Sequence, residues 1–342
     1  MENRSCQYKK FSGVDVMSDS NILILSAGRR VELVKCFKNA ARKIDMNSKV
    51  VACDSSKYAP ALYFADKQYL LPLIKDPGYI QAIIDICIAE KIALVVPTID
   101  TDLLLLAENR DRIEAEAGAA VLISKLDTVR LCRDKILTHR FLQKNGFRVP
   151  ELYDTKSVFA GEVKYPLFIK PKSGSSSVNA FKVRSRTDFE CYLKMIEDPI
   201  IQCFIQGDEY SVDVFLDFEG NPVSIVPRLR MATRNGEISK GKIIKEETII
   251  REIEQLMKSL KAIGHITVQL IKNDTGIYFI EINPRFGGGA PMSIYSGADS
   301  CEYILRLLRG DKLTYRQQYK DGIIYLRYDQ CVCINDDMEI MQ

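Results

Sequence analysis

The stretch Glu281-Ile282-Asn283-Pro284-Arg285 brings a carboxylate, an amide and a guanidinium close together, directly after the apolar run 277–280 and before Phe286-Gly287-Gly288-Gly289. Successive side chains of a β-strand alternate between faces, so Glu281 and Asn283 point the same way. Oxygen donors of this kind suit a hard cation such as Mg²⁺ and the phosphate oxygens it shares, and an arginine beside them suits the same anion. A strand end shedding polar residues as it leaves a core explains the stretch equally well. The two readings separate on whether another strand brings a partner to the same face. Gln269 is that candidate. Residues 266–272 and 277–282 read as the two arms of a hairpin, joined by Asp274-Thr275-Gly276 with glycine at the left-handed position. That register pairs Asn273 with Ile277 and sets Gln269 opposite Glu281, with Cβ atoms about 4.5–5.5 Å apart. A loop one residue shorter or longer would turn Gln269 away from that face.

Other residues with chemical potential lie upstream. Lys170 closes the apolar run 167–170, and the small-residue loop Ser173-Gly174-Ser175-Ser176-Ser177 follows shortly after. Such a loop lets backbone N–H groups wrap a phosphate, with a lysine at its base adding charge, although a solvated hairpin loop reads the same way. Asp134-Lys135 falls inside the helical stretch 127–145, where a solvated pair is the ordinary reading. The run 202–210 (Gln202 through Phe204, Ile205 and Glu209 to Tyr210) carries a strand through an acidic turn into another strand. Its backbone edge offers donors and acceptors to a planar base, and Glu209 offers an acceptor for hydroxyls. Arg228, Arg230, Arg234 and Lys240 surround Asn235-Gly236. They read either as solvated hairpin residues or as a basic rim holding a carboxylate, with Arg228 or Arg230 as its donor. His265 reads as a loop or helix-end residue before strand 266–271.

These residues need a scaffold, and the pattern supplies an α/β one. Runs at 22–26, 49–53 and 93–97 read as buried strands alternating with helices at 31–42 and 79–90, which gives a parallel sheet whose ligands gather at the carboxyl strand ends. Those ends carry Ser26-Ala27-Gly28-Arg29, Asp54-Ser55-Ser56 and Thr98-Ile99-Asp100, the last equally readable as a helix cap. Neither a dinucleotide fingerprint nor a Walker loop is present. Strands at 167–170, 180–183, 200–205, 210–216, 224–228, 266–271, 277–282 and 323–332, with helices at 127–145, 187–197, 247–263 and 301–310, complete the reading. Helix 187–197 takes its cap at Asp188 or Thr187, and Gly264 closes helix 247–263.

Composition removes several function classes. The 342 residues carry a net charge of +3, which argues against nucleic acid as a partner, and there is no apolar run long enough to span a membrane. Residues 1–20 read as a polar tail without a signal-peptide core, with Met17 as an alternative start. Ten cysteines without a CxxC pair, and two histidines, argue against zinc and for reduced thiols in a cytoplasmic protein.

Taken together, CRDK (132–135), LFIKPKSGSSSVN (167–179), IQCFIQGDEYSVDVF (201–215), VQL (268–270) and EINPRFGG (281–288) occur in the order found in the ATP-grasp superfamily. The chain resembles the large subunit of carbamoyl-phosphate synthase and stand-alone relatives with one such unit, over residues 21–335. The resemblance implies a Rossmann-like pre-ATP-grasp domain at 21–125. A two-lobed ATP-grasp fold follows, with a small lobe and linking helix at 126–206 and a large lobe at 207–335, and 336–342 forms a tail. It implies ATP and Mg²⁺ as cofactors, with Mn²⁺ able to substitute. Lys135 and Lys170 match phosphate-binding positions, and Ser173, Gly174, Ser175, Ser176 and Ser177 the phosphate-covering loop. Gln202, Phe204 and Ile205 match the adenine segment and Glu209 the ribose carboxylate. Gln269, Glu281 and Asn283 match metal ligands, with an amide at 269 where many relatives place a second acid. Arg285 matches the arginine that steadies the transferred phosphoryl group, and Gly288 lies at the substrate side. The implied activity is an ADP-forming ligase joining a small carboxylate, such as an amino acid, to an amine through an acyl phosphate. The alternative is phosphorylation of bicarbonate or carbamate, which the full synthase performs with two such units where this chain holds one. A third reading is a nucleotide-binding regulator, which would have no need of Lys170, Glu281, Asn283 and Arg285. The relatives are often homodimers.

Overall fold

The computed structural model describes residues 20–172 and 178–341. The expected phosphate loop, Ser173 to Ser177, lies outside the described residues. The chain first builds a parallel sheet. In order come β1 (Asn21–Leu25), α1 (Val31–Lys43), β2 (Val50–Asp54), a 3₁₀ turn (Pro60–Phe64), β3 (Lys67–Leu70), α2 (Tyr79–Ala89), β4 (Ile92–Pro97), α3 (Asp100–Ala117) and β5 (Ala120–Val121). The spatial order is β3-β2-β1-β4-β5, and every pairing is parallel. Strands covered by helices on both faces need apolar side chains throughout, which is why β1 and β4 read as unbroken hydrophobic runs.

The helix expected over 127–145 is two: α4 (Leu126–Arg133) and α5 (Lys135–Lys144). Asp134 is the break. It adopts an extended backbone, and its side chain accepts from the N–H groups of Ile136 and Leu137, so it caps α5. The small antiparallel sheet then runs β6 (Leu152–Tyr153), α6 (Thr155–Phe159), β7 (Leu167–Pro171), β8 (Phe181–Val183), α7 (Arg186–Leu193) and β9 (Pro199–Cys203), with spatial order β6-β9-β7-β8. Ser185, not Thr187 or Asp188, caps α7.

The third sheet is antiparallel. Its chain order is β10 (Asp208–Leu216), β11 (Pro222–Arg234), β12 (Glu237–Ile243), α8 (Glu247–Leu260), β13 (Gly264–Asn273), β14 (Gly276–Asn283), α9 (Ala290–Tyr295), α10 (Ser300–Leu308) and β15 (Ile324–Leu326). The expected strand 224–228 is thus the middle of a longer hairpin. Asn235 and Gly236, both at positive φ, form its turn, the backbone that a two-residue hairpin connection requires. Helix α8 ends at Lys261 in the left-handed conformation, and Gly264 opens β13 instead of closing the helix. Strand 323–332 shrinks to β15, and β16 (Cys333–Ile334) pairs with β17 (Ile340–Met341), which lies inside the expected tail.

The pleat of this sheet separates core from site. Tyr210, Val212, Val214, Ile266, Val268 and Leu270 pack under α8 with Phe279 and Ile282. The alternate positions Glu209, Ser211, Asp213, Thr267 and Gln269 therefore share the opposite face. On β14 the alternation is interrupted. Asn273 pairs with Gly276, not with Ile277, so the connection is one residue shorter than expected, but Gln269 still faces Glu281. The register shifts between these pairs, and Ile280 is the extra residue of a β-bulge. The bulge lets Phe279 and Ile282 both enter the core while Glu281 faces Gln269.

A second core joins the first sheet to the third. Phe286 is buried against Phe37 of α1, their rings edge-to-face at 6.0 Å, and Ile294, Cys301, Ile304 and Leu308 of α9 and α10 belong to the same cluster. Among the described residues no helix is long and apolar enough to cross a membrane.

The bulge makes a testable distinction. Phe279→Ala, emptying a core position, is expected to cost about 3–5 kcal/mol in urea unfolding. Ile280→Ala, whose side chain lines cavities, should cost about 1 kcal/mol. Equal losses would contradict the register.

Candidate active site

Glu281 and Asn283 end β14 side by side, and the Asn283 Nδ2 donates to Glu281 Oε1 at 2.6 Å. Gln269 supplies a further amide across the strand pair. One carboxylate and two amide oxygens form a donor set suited to an oxygen-preferring divalent ion, with fewer negative charges than a pair of acids would give. No cluster of three or more His, Cys, Asp or Glu able to hold a metal occurs among the described residues.

Two cavities meet at this set. The first, about 230 Å³, lies between the two antiparallel sheets and is lined by Lys135, Lys170, Gln202, Phe204, Ile205 and Glu209 among others. Ile280, the bulge residue, also lines it. Lys135 reaches this cavity because α5 restarts at that residue behind its Asp134 cap. Lys170 is buried at the end of β7. Burial pushes its ammonium down to about 8, an effect that Glu281 opposes and Lys135 reinforces. Lys135 is likewise lowered, first by burial. Two lysines kept short of water around one carboxylate leave positive charge to be met by an anion. Lys182 Nζ stands 3.8 Å from the centre of the Phe204 ring, fixing that ring at the cavity edge. Glu209 is exposed and lies 3.3 Å from Arg230 Nε.

The second cavity, about 290 Å³, shares Gln269, Glu281, Arg230 and Gly236 with the first. Its walls come from the third sheet, the Gly287–Gly289 turn and the first sheet, through Arg30 and the segment Thr98-Ile99-Asp100-Thr101. Each arginine here has an acidic partner. Arg30 meets Glu237 at 3.1 Å, Arg228 meets Asp213 at 2.7 Å, Arg230 meets Glu209 at 3.3 Å and Arg285 meets Asp100 at 2.6 Å.

Arg228, expected with Arg230 as a candidate donor to a substrate carboxylate, stays within β11, where it is buried and bidentate. Its Nε and Nη2 donate to the two oxygens of Asp213 at 2.7 and 3.0 Å. Ser293 Oγ donates to the same carboxylate at 2.5 Å, and His265 Nε2 lies 3.4 Å from it. Burial opposes ionisation of Asp213, yet Arg228 and His265 outweigh it and hold the carboxyl far below the usual range. Of the Arg228 nitrogens, Nη1 lacks a hydrogen-bond partner among the described residues, as does Nε of Arg230, and both residues line the second cavity. Arg230 spends two N–H groups on Ser211 Oγ and the Gly236 carbonyl. His265 is no loop residue: it sits inside β13, bonded to Ser300 through Nδ1 at 3.1 Å and stacked on Phe286.

Other expectations also shift. Arg234 points to Asp329 on the surface, and Lys240 pairs along β12; neither lines a cavity described here. Asp54, read as a strand-end ligand, turns its oxygens onto the N–H groups of Gly28 and Ser56. Asp100 begins α3 without capping it, because its carboxylate is taken by Arg285. Gly288 and Gly289 have a packing reason: a Cβ at the first would strike the Arg30–Glu237 pair, and at the second Arg228. Sequence reasoning missed Arg30 and Glu237. Arg30 adjoins the marked strand end Ala27-Gly28-Arg29, which was the available signal, whereas Glu237 gave none.

Residues 22–122 match the PylC-like N-terminal domain and residues 132–289 match the ATP-grasp domain. The chain is 25% identical over 255 residues to a carbamoyl-phosphate synthase of Methanobrevibacter smithii, covering 70% of this chain and 68% of that one. It is 25% identical over 262 residues to the 3-methyl-D-ornithine–L-lysine ligase of Methanosarcina barkeri, covering 75% and 66%. The biotin carboxylase domain of the Hydrogenobacter thermophilus 2-oxoglutarate carboxylase superposes with a TM-score of 0.69 at 17% identity, over 89% of this chain and 73% of that one, and so shares the fold.

The buried pair yields a stability prediction. Arg228→Met strands the Asp213 charge and is expected to cost about 3–5 kcal/mol in denaturant unfolding. Adding Asp213→Asn should recover part of that loss; a double variant less stable than the single would show that the pair does not act as a unit.

Proposed function

The chain belongs to the ATP-grasp superfamily, and we propose that it is an ATP-dependent, ADP-forming ligase that activates a small carboxylate, such as that of an amino acid, and joins it to an amine. The observation that carries this reading is the meeting of two cavities at Gln269 and Glu281, one holding the buried Lys170 and the half-buried Lys135 and the other the unpartnered Arg228 Nη1. The first cavity takes the nucleotide. Gln202, Phe204 and Ile205 flank the base, Glu209 faces the ribose, and Lys135 and Lys170 neutralise phosphate. Glu281, Gln269 and Asn283 would hold Mg²⁺, which when bound offsets the charge on the phosphates.

The second cavity takes the acceptor. A carboxylate placed against Arg228 Nη1 or Arg230 gains a charge-assisted hydrogen bond. At neutral pH a carboxylate does not react with an amine, because oxide is a poor leaving group. Transfer of the γ-phosphoryl group to a carboxylate oxygen releases ADP and gives an acyl phosphate. The amine then attacks the carbonyl carbon, phosphate leaves and the amine proton is lost, forming the amide. Phosphoryl transfer of this kind depends on positioning and charge compensation, so the site requires no protein nucleophile. Arg285 stands beside Asn283 and would steady the transferred group.

The test is ADP release from Mg·ATP with amino acids offered singly and in pairs, and separately with bicarbonate. Amine-dependent release supports the ligase; bicarbonate-dependent release alone would reassign the chain to carbamate-type phosphorylation, and none at all would leave a nucleotide-binding regulator. Glu281→Ala is expected to reduce release by about a hundredfold or more in a protein that still folds.

Lys170 makes nucleotide binding pH-dependent. Its proton, weakly held because of burial, is lost as pH rises through about 8, so affinity for ATP is expected to fall above that pH. Lys170→Arg keeps its charge and should flatten the profile measured by calorimetric titration. An equally steep profile in that variant would assign the titration elsewhere.

A further inference from the structure

Asp100 and Arg285 are separated by 185 positions and follow strands of different sheets, yet they form a two-point contact in the wall of the second cavity. Arg285 Nε donates to Asp100 Oδ1 at 3.1 Å and Nη2 donates to Oδ2 at 2.6 Å. The remaining bonds of the guanidinium are Nη1 to the Phe286 carbonyl at 3.2 Å and Nη2 to Asn283 Oδ1 at 3.3 Å. A guanidinium has five N–H groups, so these contacts leave one, on Nη1, for a ligand. Asp100 thus does more than neutralise. A fork-to-fork pair fixes the plane of the arginine, which a single hydrogen bond cannot do.

The location separates this pair from an ordinary surface bridge. Asp100 is 8% exposed, and it borders a small cleft with Lys135, Glu281 and Asn283 as well as the second cavity. Its own support is rigid, because β4 delivers it at a strand end and α3 starts at Asp100 itself. Phe286, directly after Arg285, is anchored in the core shared with Phe37. Both halves of the pair therefore ride on elements that one hydrophobic cluster holds together.

We infer that Asp100 is a positioning residue: it orients Arg285 for the phosphoryl group in flight, so that the first sheet is part of the catalytic apparatus. The inference rests on the ligase reading above. The experiment compares MgADP binding with and without tetrafluoroaluminate, a planar stand-in for the transferred phosphoryl group. In the wild type, tetrafluoroaluminate is expected to tighten MgADP binding. Asp100→Asn should leave affinity for MgADP alone within about twofold yet reduce that tightening by about tenfold or more, as loss of an outer partner of a site group does. Arg285→Lys should lose the tightening to a similar degree, and the double variant should lose little more of it than either single one, because both remove one device. A folded Asp100→Asn protein that keeps the full tightening, or losses that multiply in the double variant, would overturn the inference. Melting temperature reports folding, and if Asp100→Asn does not fold, Asp100→Ser is read by the same criteria. A wild type that binds MgADP without any tightening would instead overturn the ligase reading, and the inference with it.

Discussion

The pleat of the six-stranded sheet is the constraint from which the site follows. Strands β10, β11, β13 and β14 commit residues to the core under α8, and positions left over on the opposite face, such as Ser211, Thr267 and Gln269, line the cavities. Ser211, Asp213, Thr267 and Gln269 are there because Val212, Val214, Ile266 and Val268 are in the core. A slip of one residue in any pairing would bury an acid under α8 and expose a valine, so register and function are selected together. The bulge at Ile280 is where β14 departs from strict alternation, and the departure preserves the pairing of Glu281 with Gln269.

Electrostatics add a second layer. Four arginines crowd the second cavity, and each is matched by an acid of the same protein. Such a lining avoids the mutual repulsion of bare guanidinium groups while leaving individual N–H groups for a ligand. The Asp213 network shows the principle most fully. Ser293 and His265 crowd the carboxylate from other elements, Arg228 is held by two of its nitrogens, and one nitrogen is left over.

How far the sequence discloses this depends on whether a feature is local. Glu281 beside Gln269 was legible, because period-two alternation and one hairpin suffice to place them. The three-residue loop that the pattern implies is one residue too long, and the bulge at Ile280 makes up the difference. The parallel sheet was legible from its unbroken apolar runs. Strand β12 was not, since Glu237 to Ile243 interleaves charged residues and glycine and gains its strand character by pairing with β11 and β15. The break at Asp134 was hidden because a capping aspartate inside a helical pattern looks like one more solvated charge, and with it went the reason that Lys135 reaches a cavity. Asp100 and Arg30 were hidden more deeply. Their partners Arg285 and Glu237 lie on another sheet, and no periodicity encodes that encounter.

The core built around Phe286 and Phe37 bears on how such proteins diversify. Because α9 and α10 pack on α1, the N-terminal layer and the third sheet form one hydrophobic unit. A recombination event that exchanged the first 120 or so residues for those of a distant relative would have to carry over a matching apolar surface, a replacement for Asp100 and a replacement for Arg30 at the same moment. Cavity positions are therefore free to change one at a time, whereas exchange of the leading domain has to preserve all of these contacts at once.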